Sequence, residues 1–250
     1  MASSQSRLIW TAISLAGFGL LWAAIAAILQ SRVLPGPLEV WQAYLHESTH
    51  GNYWYHMLVT LARVAAAFTL SMLIGSAIGI ALGRSDRADR FFGGWLTLFL
   101  NLPALVTMIL CYVWFGLSEV AAIAAVAINK VPNVAATLRE GTRALNRDLG
   151  EMAHVYRLSA TERLRHVILP QLAPFFAVAA RNGLALVWKI VLVVELLGRS
   201  SGVGFQLHTY FQLFDVAAIL AYAFGFILIV QAIELGILEP WERWVNRWRR

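Results

Sequence analysis

Apolar residues run along this chain in blocks longer than a soluble core helix needs, and polar residues are confined to the gaps between them. A helix crossing a bilayer takes about 20 mostly apolar residues. Six stretches reach that length: 8–29, 56–83, 92–116, 118–138, 169–198 and 214–238. None has the short in–out alternation of a barrel strand, and unpaired backbone groups are too costly in lipid, so helices are predicted. The first stretch is too long for the apolar region of a signal peptide. No small-residue cleavage site follows it before Arg32 and Pro35, so it is read as a retained helix. The pattern predicts an all-α, polytopic membrane protein with six transmembrane helices. Residues 1–55 form an N-terminal transmembrane helix and an outer amphipathic segment; 56–250 form the main transmembrane domain.

Composition sharpens this. Of 250 residues, 59% are apolar and 14% charged, where a soluble domain carries about 25% charged residues. The composition argues against an ordinary soluble enzyme and excludes a disordered chain, and the single Cys111 excludes a disulfide framework. The net charge of +6 is distributed by topology. The loops 84–91 and 139–168 and the two termini carry fourteen arginines, and the opposite side has only Arg32 and Arg199. By the positive-inside rule the basic loops and both termini are cytoplasmic. Charges held in short loops between spans are not a nucleic-acid footprint. Trp41, Tyr44, Tyr53, Trp54 and Tyr55, and at the other end of the chain Trp241, Trp244 and Trp248, are expected at the level of the lipid headgroups. Gly75, Gly79 and Gly83 repeat every four residues and predict a face where another helix approaches closely.

The one sizeable polar stretch, 139–170, is too patterned for a linker. Ser159 and Glu162 have the spacing of a capping box, Leu158 and Leu164 flank it, and Pro170 suits the first turn of a membrane helix. The expected form is a short helix before 157, a turn, and a second helix from 159: a bracket that docks on a cytosolic partner.

The segment from Glu151 to Pro170 resembles the EAA loop of permease subunits of bacterial ABC importers. That pattern is Glu-Ala-Ala, three residues, Gly, nine residues, Ile, one residue, Leu-Pro. Glu151, Ala153, Leu169 and Pro170 match, Val167 stands for the Ile, and Met152 for an Ala. Arg157 stands where the pattern has Gly, a position that ends the first helix at positive φ. The capping box is a second way to set that turn. Further resemblance to the nitrate, sulfonate, taurine and pyrimidine-precursor branch lies in LPGPLEVW (34–41), HMLVTLARVAAAF (56–68), IGSAIGIALGRS (74–85), VWFGLSE (113–119), ARNGLALVWKIVLVVELLG (180–198) and SGVG (201–204). The resemblance implies the type I importer permease fold and a place in the bacterial inner membrane. It implies pairing with a second permease, often as a homodimer, and docking on cytosolic ABC ATPase subunits. A periplasmic binding protein would deliver the solute. ATP and Mg would be bound by the ATPase, with no cofactor in this chain. The coupling contact would fall on Glu151, Ala153, His154, Arg157, Leu158, Ser159, Glu162, Arg163, Leu169 and Pro170.

No phosphate-binding loop is present: the only lysines, Lys130 and Lys189, follow no Gly-rich turn. Zinc-type spacing and a nucleophile elbow are absent too. His46, His50 and His56 read as solvated or interfacial residues more readily than as metal ligands. Ionisable groups within spans are functional candidates. Arg63 and Arg181 match arginines common in the resembled branch, and a role in helix pairing is expected. Lys189 and Glu195 are six residues apart, about 240° around a helix, so each needs a partner on another helix, on a second subunit or on the solute. Asn101 lies beside Pro103, which is expected to kink the third span, and Lys130 and Pro132 repeat that theme in the fourth. Asn101, Lys130, Trp188, Lys189 and Glu195 are the residues expected on the translocation path. The segment 198–214 is expected outside, as part of a gate or as a plain connecting helix. The reading is a permease subunit of an ABC importer. Its rivals are a self-contained channel or secondary transporter and, more distantly, a membrane enzyme or scaffold.

Overall fold

A computed structural model describes residues 4–31 and 33–247. Arg32, Trp248, Arg249 and Arg250 lie outside the described residues, as does the side chain of Arg7. The regular elements among the described residues are all helical. They are α1 (Ser4–Leu29), α2 (Pro37–Thr49), α3 (Tyr53–Arg84), α4 (Asp86–Leu100), α5 (Ala104–Phe115), α6 (Glu119–Arg143), α7 (Arg147–Val155), α8 (Ala160–Arg163), α9 (Leu169–Gly198), α10 (Val203–Gln212), α11 (Val216–Ile233) and α12 (Glu239–Asn246). Single π-helical turns, Leu164–Ile168 and Glu234–Leu238, join α8 to α9 and α11 to α12.

The centre of the fold is α6, packed along α3 on one side and α9 on the other. The glycine repeat makes the first contact possible. A Cβ on Gly75, Gly79 or Gly83 would come within 2.6 Å of the Val134 Cβ, 2.5 Å of the Ala135 carbonyl oxygen and 2.5 Å of the Thr142 Cβ, respectively. The two helices touch backbone to side chain because these positions have no side chain.

Among the described residues, five helices are long and apolar enough to cross a membrane. The third predicted span is not one helix: α4 and α5 meet at a 95° bend. Pro103 supplies no N–H and disfavours a helical conformation at Leu102, so the predicted kink becomes a break. Pro103 instead begins α5 with extended backbone (ψ 130°), and Asn101 closes α4, its side-chain amide donating to the Thr97 carbonyl (2.7 Å). Pro132 does not repeat this, and α6 runs through it unbroken. Pro170 stands in the first turn of α9, as its fit to that position predicts, but no loop separates it from α8. The chain runs helically from Ala160 to Gly198, and the Leu164–Ile168 turn, closed by the Leu169 N–H on the Leu164 carbonyl, takes up the register change before the proline. Pro240 follows the second π turn in the same way.

α1 lies at the periphery, tied by the Trp22 indole N–H to the Pro35 carbonyl (3.1 Å) and by ring contact with Phe224. The division expected at 55/56 falls within the first turn of α3. Tyr53, expected at headgroup depth, is instead buried in an aromatic cluster with Tyr44 and Tyr222, because α2 folds back onto α11 and covers it. Glu47 accepts the Tyr222 hydroxyl (3.1 Å) in this cluster. Burial, and next the Glu47 carboxylate beside it, push the Tyr210 phenol well above its usual range.

Candidate functional site

The bracket expected from the sequence is present at one end of the bundle. Asn146 caps α7, its side-chain oxygen accepting from the Asp148 N–H (2.8 Å). α7 ends with the Arg157 N–H on the His154 carbonyl (3.0 Å) and the Leu158 N–H on the Ala153 carbonyl (2.9 Å). This is a Schellman closure, and it requires a left-handed residue, here Arg157 at φ +51°. The left-handed turn is therefore kept with Arg in place of Gly, and the capping box is added to it. Ser159 Oγ accepts the Glu162 N–H (3.3 Å), and Glu162 accepts the Ser159 N–H (2.9 Å).

Ala153 is the buried contact of α7. Glu151, His154, Arg157, Ser159, Glu162, Arg163, Leu169 and Pro170 are exposed, and Leu158 is half-buried. Val155 and Tyr156 stand out at 76% and 74% exposure. Glu151, His154 and Arg163 line a cleft of about 1210 Å³ bounded by the α3–α4 turn, the end of α6, and α9. Arg147, Arg157, Arg163 and Arg165 have no ion-pair partner among the described residues. Arg139 and Arg143, at the end of α6, are instead paired with Asp89 of α4 (3.2 and 2.6 Å).

The opposite end holds a charge latch. His56, Thr60 and Arg63 fall on one face of α3 and are buried against the C-terminal end of α9 and the N-terminus of α10. Arg63 is 4% exposed and Glu195 0%. The guanidinium donates to Glu195 (2.8 Å), to both carboxylate oxygens of Glu119 (2.8 and 2.6 Å) and to the Ser201 carbonyl and hydroxyl (2.6 and 2.9 Å). Glu195 also accepts the Thr60 hydroxyl and the Gly204 N–H (both 2.9 Å). The Gly202 and Val203 N–H groups donate to His56 Nδ1 (3.0 Å) and Thr60 Oγ1 (2.8 Å). Three consecutive amides of the first turn of α10 are thus held by side chains. Gly202 sits at φ +110°, and a Cβ there would be 2.3 Å from the Glu195 carboxyl carbon. Arg199 closes the latch from outside through Glu119 and the Leu117 carbonyl.

The five residues expected on the path do not come together. Asn101 is exposed at the α4–α5 break. Lys130 is buried between α6 and α9. Trp188 and the exposed Lys189 share a cavity of about 340 Å³ between α9 and α11, with Gln231 and Glu234. Glu195 lines neither cavity. Its partner is another helix, through Arg63, so neither a second subunit nor a solute is needed to satisfy it. His56 is likewise buried in the latch and not solvated, because α10 folds over it. His46 and His50 stack on each other, and no cluster of three metal-ligating side chains exists among the described residues. Arg181 ties α9 to α12 through Glu242 (2.6 Å).

Residues 51–237 match the model of the binding-protein-dependent transport system inner membrane component. The chain belongs to this family. It is a permease subunit of an ABC importer, a multi-pass membrane protein and a transport subunit, and the family implies an ATPase partner and a binding protein. Among its relatives is SsuC of Escherichia coli (strain K12), a permease protein assigned to aliphatic sulfonate transport, 30% identical over 91% of this chain and 89% of the relative. Another is the taurine transport system permease protein TauC of the same organism, 24% identical over 88% of this chain and 85% of TauC. The fold is that of the permease in inward-facing MetNI methionine ABC transporter structures, with a TM-score of 0.64 at 17% identity, covering 74% of this chain and 92% of that one.

The sequence pointed to the permease's bracket residue by residue, because capping boxes and helix stops are local. It did not expose the latch. His56, Thr60 and Arg63 are a legible helical stripe, but their partners Glu119, Glu195 and Ser201–Gly204 are 56 to 146 positions away. Asn133, Thr137 and Asn182, which surround Lys130, were also not singled out. Asn133 and Thr137 carry the i, i+4 spacing of polar side chains within an apolar span, and Asn182 carries no such spacing.

Proposed function

We propose that the α7–α8 bracket is the element through which the ATPase drives this permease, and that it faces the cytoplasm with both termini. The carrying observation is its exposed tip. Val155 and Tyr156 present apolar surface beside arginines that have no partner among the described residues, on a rigid turn set by two capping motifs. Aromatic and arginine side chains of this kind supply most of the energy of protein interfaces. The tip continues through the Leu164–Ile168 turn into α9 without a break, so displacement of the bracket moves a membrane helix. ATP and Mg belong to the partner, and ATP acts by binding one conformation of the assembly more tightly than the other.

Two copies of the permease enclose the path in this reading. The support is the exposed face of α9, where Asn182 and Lys189 would be costly against lipid tails. Asn101, Lys130, Trp188 and Lys189 are the proposed path residues. A periplasmic binding protein delivers the solute, and small sulfonates are the class suggested by the named relatives.

Two variants test the coupling role. Glu151→Lys reverses a charge on the cleft, and Arg163→Pro removes the N–H that donates to the Ser159 carbonyl (2.9 Å). Both are expected to insert and remain monodisperse, yet to lose solute uptake at least tenfold in proteoliposomes and to lose ATPase on affinity purification. Full uptake by both would rule out the bracket as the drive element.

A further inference from the structure

Three charged side chains are buried among the described residues, and two of them, Arg63 and Glu195, answer each other. The third is Lys130, 2% exposed. It lies about 16 Å along α6 from Glu119 at 1.5 Å per residue, near the middle of a hydrocarbon layer about 30 Å thick. Its ammonium has no hydrogen-bond or ion-pair partner among the described residues. A charge at that depth is costly unless something arrives to meet it, and so marks a functional position.

The surroundings are built to hold the side chain. Gly183 of α9 lets the lysine stem cross bare backbone: a Cβ there would be 3.1 Å from Lys130 Cε and 3.4 Å from Phe68 Cε2. Lys130 borders a pocket of about 410 Å³ between α6 and α9, within the range of about 300–1,000 Å³ usual for small-molecule sites. Asn133, Thr137 and Asn182 supply its other polar groups, and no carboxylate lines it. One Asn133 amide proton is committed to the Asn129 carbonyl and the Thr137 hydroxyl to the Asn133 carbonyl. The donors left over are the ammonium, the second Asn133 proton and the Asn182 amide, and Asn182 is exposed at the mouth. A pocket rich in donors, with one cation and no anion of its own, fits a small oxyanion.

We propose that this pocket is an oxyanion subsite on the transport path, where Lys130 meets the charged head of a small anionic solute and Asn182 and Asn133 donate beside it. The proposal rests on the reading of the chain as a path-forming permease and adds where and through what charge the solute is held. A single cation flanked by two amides binds weakly enough to release its ligand, as a transit site must.

The test uses the permease–ATPase complex in uncharged detergent, with methanesulfonate as the probe and chloride at equal ionic strength as the reference. Methanesulfonate is expected to raise the unfolding temperature of the wild-type complex saturably. Lys130→Met removes that rise, Lys130→Arg keeps part of it, and Asn182→Leu weakens the apparent affinity at least fivefold. A wild-type complex without the rise, or a Lys130→Met complex with the full rise, overturns the subsite. Should Lys130→Met fail to assemble, an unaltered rise in Asn182→Leu overturns it instead. Adding phosphatidylglycerol distinguishes a lipid headgroup: if that lipid abolishes the methanesulfonate rise, the pocket is a lipid site and the proposal fails. Retention of ATPase by Lys130→Met on affinity purification reports separately on the coupling reading, which stands or falls independently.

Discussion

The two ends of this permease handle polar groups in opposite ways. At the latch, Arg63, Glu195, Thr60, His56 and three successive backbone amides satisfy one another inside the protein. At the bracket, arginines and a carboxylate point outward beside exposed Val155 and Tyr156. The latch is complete within one chain, whereas the bracket leaves its arginines without an ion-pair partner among the described residues, as the proposed docking role requires. Buried networks are held by the full cost of leaving any member unpaired, while surface charges contribute little until a partner excludes water from them. In the proposed coupling, the closed end is the fixed part and the open end is the part the ATPase moves, with α3, α6 and α9 running between them.

The sharpest way to break this contrast is Arg63→Ala, which strands Glu195 in a dry site. Removing one partner of a buried pair costs about 3–5 kcal/mol, so the variant is expected to lose monodisperse protein on size exclusion. Arg63→Lys should recover only part, since it cannot serve Glu119 with two parallel bonds. Wild-type thermal stability of Arg63→Ala would mean the latch is not a sealed network.

A smaller effect is expected at Gly204, where a Cβ would meet the Leu192 carbonyl oxygen at 2.1 Å. Overpacking of this kind costs about 1–3 kcal/mol. Gly204→Ala should lower the unfolding temperature without detaching the ATPase, whereas Glu151→Lys should do the reverse. If both variants affected both readouts equally, the two ends would not be separable.

The smallest effect is a gain. Arg157 holds φ +51° at the turn between α7 and α8, where a non-glycine residue is disfavoured by about 1–2 kcal/mol. Arg157→Gly relieves that strain but adds unfolded-chain entropy, for a net gain of a few tenths of a kcal/mol to about 1. Slower amide exchange at Leu158, whose N–H closes the turn on Ala153, would register it. Faster exchange would mean the arginine side chain itself holds the turn.

Much of this was legible along the chain. The apolar blocks placed five of the six predicted spans on single helices, since span length follows from bilayer thickness. The capping box at Ser159 was readable because its partner lies within a few residues, whereas the stop at 157 was indicated only by the resemblance, whose pattern has Gly there. The glycine repeat announced a close contact without naming α6 as its other side. The bend at Pro103 and the continuity through Pro132 looked alike in sequence and differ in the fold. Pro132 is buried in a helix packed on both sides by α3 and α9, whereas Pro103 lies where the chain is free to leave the helix axis.

Local pattern by itself determined five of the spanning segments and where the bracket lies, because each depends on short-range sterics or on solvent transfer. Only the tertiary structure decided that Glu195 belongs to Arg63 and that Lys130 belongs to no described residue, since the fate of a buried charge depends on which distant helix the fold brings beside it.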